Sequence, residues 1–167
     1  MMNLESIQTL LRYNDWANGH LLQTAGPLAA ELLDRAFEMG RVTLRKTLLH
    51  IAVAEHVWVQ RWKAKIEGPW PNEDEPVGVA AIRERLGATQ KDRNGFLGTL
   101  TDPDLSRIVA YRDSFGSLYT AALGDMLLQL CTHSAHHRAQ AVNMLRNVGA
   151  GVVELDYMYW VRKPARE

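Results

Sequence analysis

The spacing of hydrophobic residues repeats with the period of an α-helix in four long segments of the chain. These segments run from about Leu4 to Ala25, from about Thr43 to Ile66, from about Val79 to Leu97 and from about Tyr119 to Val148. Gly26, Gly68 and Gly149 follow the first, second and fourth segments, and a glycine just past a periodic segment favours the end of a helix. The pattern therefore predicts four amphipathic helices.

The segments between these helices predict how the helices are connected. Residues 67–78 form an acidic, proline-containing connection, and residues 101–118 form a second long connection. Its β-branched residues and its Ser-Phe-Gly turn favour a short hairpin within 106–119. We predict an all-α fold, an antiparallel four-helix bundle with two long crossover connections, in one domain that spans residues 1–167. The tail ELDYMYWVRKP is expected to add a final turn that packs its aromatic rings on the bundle.

Composition and charge exclude several classes of function. The chain has 167 residues with 19 Lys and Arg against 19 Asp and Glu, so it lacks the basic excess used to bind a phosphate backbone. Glu5, Arg12 and Asp15 interrupt the apolar pattern of the first helix, which argues against a signal peptide or a membrane span. The single cysteine, Cys131, excludes an internal disulfide and fits a reducing compartment. We expect a cytoplasmic protein with no nucleic-acid partner and no membrane.

Three of the six histidines crowd into the fourth predicted helix. At about 100° per residue, His133 and His137 differ by about 40° and lie one turn apart on the same side, as a two-histidine metal site requires. His137 points into the bundle and His133 to its inner edge, whereas His136 points toward the rim. A buried imidazole needs a partner, which is either a hydrogen-bonding neighbour or a metal shared with a second ring. A metal would require a third ligand, since zinc-type sites use three or four protein ligands.

The second helix offers two further candidates, His50 and Glu55. His50 lies on a flank of that helix that faces a neighbouring helix, and the alternative for it is an ordinary interhelix or surface histidine. Glu55 lies about 20° from the centre of the apolar stripe, so its carboxylate points at the core and needs a cation, a donor or a metal. We expect it to accept a hydrogen bond from the far nitrogen of a ligating histidine or to pair with Arg138. Direct ligation of a metal is the alternative.

The first helix places polar residues where a core helix is normally apolar. Asn14, Asp15 and Asn18 indicate either a wet pocket inside the bundle or an edge that faces a partner subunit. We place Asp15 and Asn18 together with Glu55 and Arg138 among the residues that support metal ligands from behind. The sequence assigns no catalytic residue, because Cys131 lies about 100° from its stripe centre and is expected to pack between helices.

With these residues in place, the chain resembles the DinB-like superfamily, which includes the YfiT-type metal-dependent proteins. Three segments carry the resemblance: Tyr13-Asn14-Asp15-Trp16-Ala17-Asn18 is similar to the family's Y-x-x-W-A-N start, His50-x-x-x-Ala54-Glu55-x-x-Trp58 to its first metal-bearing helix, and His133-x-x-His136-His137-Arg138-Ala139-Gln140 to its H-x-x-H-H-R-G-Q segment. Ala139 replaces the usual glycine, a departure that affects helix packing more than ligation.

The resemblance implies a four-helix bundle, often dimeric, that holds a divalent metal such as zinc or nickel. Carried over by position, the three ligands are His50, His133 and His137. Better-understood relatives transfer a low-molecular-weight thiol, bacillithiol or mycothiol, to electrophiles or isomerise substrates with such a thiol. The resemblance thus implies a homodimer that acts on a small-molecule substrate as a thiol S-transferase.

Three neutral imidazoles leave at least one coordination position of a metal open. A water at that position could lose a proton and attack an ester or amide, or a substrate thiol could bind there as thiolate. The candidate enzymes are therefore a thiol transferase and a hydrolase. The alternative is a non-enzymatic, stress-related protein that binds a metal or small molecule and never turns it over.

Overall fold

The chain is mostly helical in the computed structural model, which describes residues 3–65, 70–151 and 153–163. Its elements in chain order are α1 (Leu4–Ala25), α2 (Ala30–Leu33), α3 (Leu44–Trp62), α4 (Val79–Leu97), a 3-10 turn (Asp102–Ser106), β1 (Ile108–Arg112), β2 (Leu118–Ala122), α5 (Leu123–Asn147) and α6 (Tyr157–Val161). None of the helices in these ranges combines the length and the apolar character that a membrane crossing needs.

Local sequence explains where the long helices begin and end. The side chain of Asn3 accepts a hydrogen bond from the backbone N–H of Ser6 at the start of α1, and Thr43 caps α3 in the same way. Both ends of α1 and α4 agree with the hydrophobic pattern. The second helix is shorter than predicted, because Ala64 adopts a left-handed φ of 55° just after Trp62. Its predicted end at Ile66 and the break at Gly68 lie outside the described residues.

The fourth predicted helix begins later than the pattern indicates. Residues from Leu118 to Ala122 pair antiparallel with β1, in a register that places Tyr119 opposite Tyr111. The carboxylate of Asp113 closes the turn by accepting the backbone N–H groups of Phe115 and Ser117. Pairing across the hairpin satisfies the backbone of this β-branched and aromatic stretch. The expected hairpin is therefore present, and the all-α description becomes mostly helical with one two-stranded sheet.

The four long helices contact one another in a closed cycle, α1 with α5, α5 with α3, α3 with α4 and α4 with α1. Their apolar residues form two separate clusters. One cluster includes Leu48 and Met144, and the other includes Leu11 and Leu127. Buried polar residues occupy the positions between the two clusters along the helices, and we call them the polar layer: Asn14, Asn18, Glu55, Arg93 and Arg138.

The tail packs on α1 as the sequence predicts. The ring of Tyr13 lies 5.2 Å from that of Tyr157 and 6.1 Å from that of Trp160, and its hydroxyl donates to the backbone carbonyl of Leu155. These contacts hold α6 against the outside of the helices.

Candidate metal centre

Three histidines from two helices converge where α3 packs against α5. His50 extends from α3, and His133 and His137 extend from α5 one turn apart. One ring nitrogen of each lies within 4.8 Å of the others, and Nε2 of His50 is 3.3 Å from Nε2 of His133. Two nitrogens bound to one tetrahedral metal at about 2.0–2.1 Å lie about 3.3 Å apart. The spacing of this pair therefore fits coordination of a common metal.

The neighbouring His136 is separated from this group by its position on α5. Its side chain is exposed, and its Nε2 lies 3.0 Å from the amide nitrogen of Gln140. His137 is half-buried and faces the rings of His50 and His133, whereas His136 lies at the exposed rim of α5.

A carboxylate and an amide orient two of the three rings. Nδ1 of His50 lies 2.8 Å from Oε1 of Glu73, and Nδ1 of His137 lies 2.8 Å from Oε1 of Gln140. Both partners accept a hydrogen bond from Nδ1–H, which leaves Nε2 of each ring with a free lone pair. Such partners are typical of the atoms behind metal-binding histidines, because they fix the tautomer and raise the basicity of the ring.

Glu73 is itself held in place and kept ionised. The indole N–H of Trp70 donates to its Oε1 at 2.6 Å, and Arg41 donates to its Oε2 at the same distance. Burial raises the pKa of Glu73, but the hydrogen bonds from His50 and Trp70 outweigh burial, and the pKa lies below its usual value. A buried negative charge therefore stands directly behind His50.

His133 and His137 are poised in the neutral form that binds metals. Burial, reinforced by the neighbouring imidazoles, lowers the pKa of His133 to about 4, and burial also lowers the pKa of His137. With Nδ1–H of His50 directed at Glu73, its Nε2 lone pair faces Nε2 of His133. A proton on Nε2 of His133 could be donated to Nε2 of His50, whereas a metal ion would accept the lone pairs of both nitrogens at once.

The residues expected to support the ligands from behind belong instead to the polar layer, except Asp15, which lies at its half-buried edge. Glu55 is 1% exposed, but it pairs with Arg93 of α4 at 2.6 Å rather than with a histidine or with Arg138. Arg93 also binds both carboxylate oxygens of Asp15. The guanidinium group satisfies the two carboxylates together, which is why neither turns toward the histidines.

Arg138 and Asn18 complete the same correction. Arg138 donates to the side-chain oxygens of Asn14 and Asn18. Among the described residues, Nδ2 of Asn18 is the one buried side-chain nitrogen or oxygen atom that lacks a hydrogen-bond partner. Within those residues, none of Glu55, Asp15, Asn18 and Arg138 is hydrogen-bonded to the three histidines. The polar residues Asn14, Asp15 and Asn18 of α1 thus pair with arginines of the same chain.

Sequence reasoning missed the two groups that do support the ligands. Glu73 stands in the acidic run Asn72-Glu73-Asp74-Glu75, which is indistinguishable by pattern from a solvated loop. Gln140 lies one turn beyond His136 and three residues beyond His137, and its signals were this spacing and its place at the end of the segment that resembles the family pattern. Cys131 behaves as expected, because burial raises the pKa of its thiol to about 11 and disfavours the thiolate.

A cleft of about 460 Å³ opens beside the histidines and gives a small molecule access to them. His50 and His133 form one part of its wall. The remaining lining is aromatic and charged, and it includes Trp58, Trp70, Tyr111, Arg41, Arg61 and Asp113. The arrangement joins a potential metal site to a pocket of small-molecule size.

Comparison with known proteins gives a consistent identification. The model of the DinB family matches residues 1–165. Among solved structures, a DinB-like protein from Bacillus cereus ATCC 10987 has a similar fold, with a TM-score of 0.73 over 91% of this chain and 97% of that chain. The two sequences are 24% identical, so this likeness concerns the fold alone. No curated protein matches the chain.

Proposed function

Because the chain belongs to the DinB family, we propose that it binds one divalent metal ion through His50, His133 and His137 and acts as a metal-dependent enzyme. The observation that carries the proposal is the convergence of three ring nitrogens within 4.8 Å. The hydrogen bonds of Glu73 and Gln140 support it. They occupy Nδ1 of His50 and of His137, which leaves Nε2 of each ring free to bind a metal.

The donor set fits a metal of the zinc or nickel type. Imidazole nitrogen suits zinc, copper, iron and nickel better than it suits magnesium or calcium. When bound by three imidazoles, such a metal keeps at least one coordination position open and supplies Lewis acidity there. The protein contributes the tautomers of His50 and His137, the negative charge of Glu73 and a cleft that leads to the site.

Transfer of a low-molecular-weight thiol to a small electrophile is the reaction we favour, ahead of hydrolysis, because DinB relatives include thiol-dependent enzymes. The buried thiol of Cys131 is not a candidate nucleophile, so the thiol would have to enter as a co-substrate.

We further propose that the chain is a single-domain four-helix bundle of the DinB/YfiT type that forms a homodimer. The closed cycle of helix contacts supports the bundle, and exposed apolar residues of the hairpin, including Phe115 and Leu118, offer surface for an interface.

The ligand assignment is tested by metal analysis of purified protein loaded with zinc or nickel and then desalted. We expect wild-type protein to retain about one metal per chain and His137→Ala to retain almost none, with His50→Ala and His133→Ala close to it. His136→Ala is the matched control, since that ring is exposed one residue away, and it should retain the metal. Retention by His137→Ala together with loss by His136→Ala would contradict the assignment.

Turnover is tested separately, with the metal-loaded protein. A panel of electrophiles with and without a low-molecular-weight thiol, together with ester and amide substrates, should show activity in wild-type protein that His137→Ala lacks. A protein that binds metal stoichiometrically but is inactive throughout the panel would instead be a non-enzymatic metal or small-molecule binding protein.

A further inference from the structure

Arg61 is a buried cation at the wall of the cleft, and no carboxylate of the described residues pairs with it. It extends from α3 and is only 9% exposed. Its Cζ lies 4.7 Å from the ring of Trp58, 5.2 Å from that of Tyr111 and 5.9 Å from that of Trp70. Among the described residues, no Asp or Glu oxygen lies within ion-pair distance of its guanidinium group, whereas Arg45 and Arg93, the other buried arginines of α3 and α4, both have one.

The surroundings of Arg61 leave its charge only partly compensated. Burial lowers its pKa, and the opposing influences come from Tyr111 and Asp113, neither of which is bonded to it. The carboxylate of Asp113 is engaged by the backbone N–H groups of Phe115 and Ser117. Three aromatic rings stabilise a guanidinium through their faces, but they accept none of its N–H hydrogen bonds, and no acceptor of the described residues does so either.

Trp70 connects this cation to the histidines. Its ring lies 6.1 Å from the imidazole of His50, in a stacked orientation, and 5.9 Å from the Cζ of Arg61. The histidine end and the arginine end of the cleft are thus two parts of one pocket with an aromatic surface between them. The other charged groups of the pocket are Arg41, which is paired with Glu73, and Asp113.

We propose that Arg61 is the anion-binding residue of this cleft, and that the substrate carries a carboxylate at one end, a flat or apolar middle and its reacting group at the other end. This inference rests on the proposed function, because the reacting group is placed at the three histidines. A carboxylate accepts two parallel hydrogen bonds from a guanidinium, which is the contact that Arg61 lacks. The middle of the molecule would lie along Trp70.

Binding of 3-phenylpropanoate and of its neutral counterpart 3-phenylpropanamide tests the inference, with isothermal titration of metal-free and metal-loaded protein. We expect the acid to bind both forms of wild-type protein at least tenfold more tightly than the amide. Arg61→Gln should weaken binding of the acid by about tenfold to a hundredfold and leave binding of the amide unchanged. Arg83→Gln, which changes an exposed arginine on α4, is the matched control and should bind both probes like wild type.

Two further measurements separate this inference from the proposed metal site. Arg61→Gln should hold as much metal as wild type, whereas His137→Ala should still distinguish the acid from the amide. Arg61→Lys keeps the charge and provides a second variant in case the glutamine variant is poorly folded, and it should retain part of the preference for the acid. Equal binding of acid and amide by wild type, unchanged binding of the acid by Arg61→Gln, or loss of metal from a folded Arg61→Gln would overturn the proposal.

Discussion

At the scale of single residues, Glu73 gives the three-histidine site its negative charge. Its carboxylate accepts Nδ1–H of His50 at 2.8 Å and is buried with two other donors. Glu73→Gln removes the charge but keeps a similar shape, so we expect metal affinity to fall about tenfold to a hundredfold, as measured by competition with a chelator. The control is Glu75→Gln, two residues away, which removes only a surface ion pair with Arg85. The metal affinity of this variant should equal that of wild type. Equal affinities for the two variants would exclude this role for Glu73.

Glu55 is predicted to make the stability of the fold depend on pH. Burial, opposed by Arg93 and reinforced by the competing carboxylate of Asp15, raises the pKa of Glu55 from 4.5 to about 7. Between these values the folded state keeps a proton that the unfolded state has released. The contribution of Glu55 to the free energy of unfolding is therefore largest below pH 4.5 and declines as pH rises toward 7.

Urea denaturation at several pH values checks this sign. The free energy of unfolding of wild type, relative to Glu55→Gln, should fall between pH 5 and 7.5, by at most about 3 kcal/mol. The exposed Glu5→Gln should show no such trend against wild type. A relative stability that rises with pH would mean that Arg93 holds Glu55 in the charged form throughout.

At the scale of elements, Arg93 connects α4 to α1 and α3 through its two carboxylate partners. Removal of one member of a buried pair leaves an uncompensated charge, so we expect Arg93→Met to lower the free energy of unfolding by about 3 kcal/mol. Lys63→Met is a suitable control, because Lys63 at the end of α3 pairs with the exposed Asp92 of α4, and its loss should cost less than about 1 kcal/mol. Comparable losses for both variants would show that burial of the Arg93 pair contributes little. Metal stoichiometry should be unchanged in both.

The same elements show where the sequence pattern was informative. The apolar period predicted both ends of α1 and α4 because the buried residues of each helix recur at helical spacing from its first turn to its last. It extended α5 back to Tyr119, since the aromatic and alanine residues of β2 continue an apolar stripe as well as they form a strand. Whether this segment forms a helix or a strand depends on its pairing with β1, which the local spacing of apolar residues does not show.

At the scale of the whole molecule, spacing predicted the pair of His133 and His137, and the family resemblance added His50 to them. Neither predicted the surroundings of the three rings. His133 and His137 share a helix face, so their proximity is a local property. The contact between His50 and Glu73 depends on the path of the loop before α4, and the pair between Glu55 and Arg93 depends on which side of α4 packs inward. Arg93 is one of three arginines in a helix rich in polar residues, so nothing in its pattern separated it from the exposed Arg83 and Arg85 of the same helix.

The whole molecule is also expected to keep its fold when the metal is removed. Its two hydrophobic clusters are built from all four long helices, and the three histidines lie beside them rather than within them. Metal binding should therefore add stability only by linkage, about 2.7 kcal/mol when free metal exceeds the dissociation constant by about 100-fold. After chelation, wild-type protein should retain its helical circular dichroism and unfold at a lower temperature. His137→Ala should show the same unfolding temperature with and without chelator. Cooperative loss of helix on chelation of wild-type protein would instead identify a structural metal, because a site required for folding cannot be emptied without unfolding the chain.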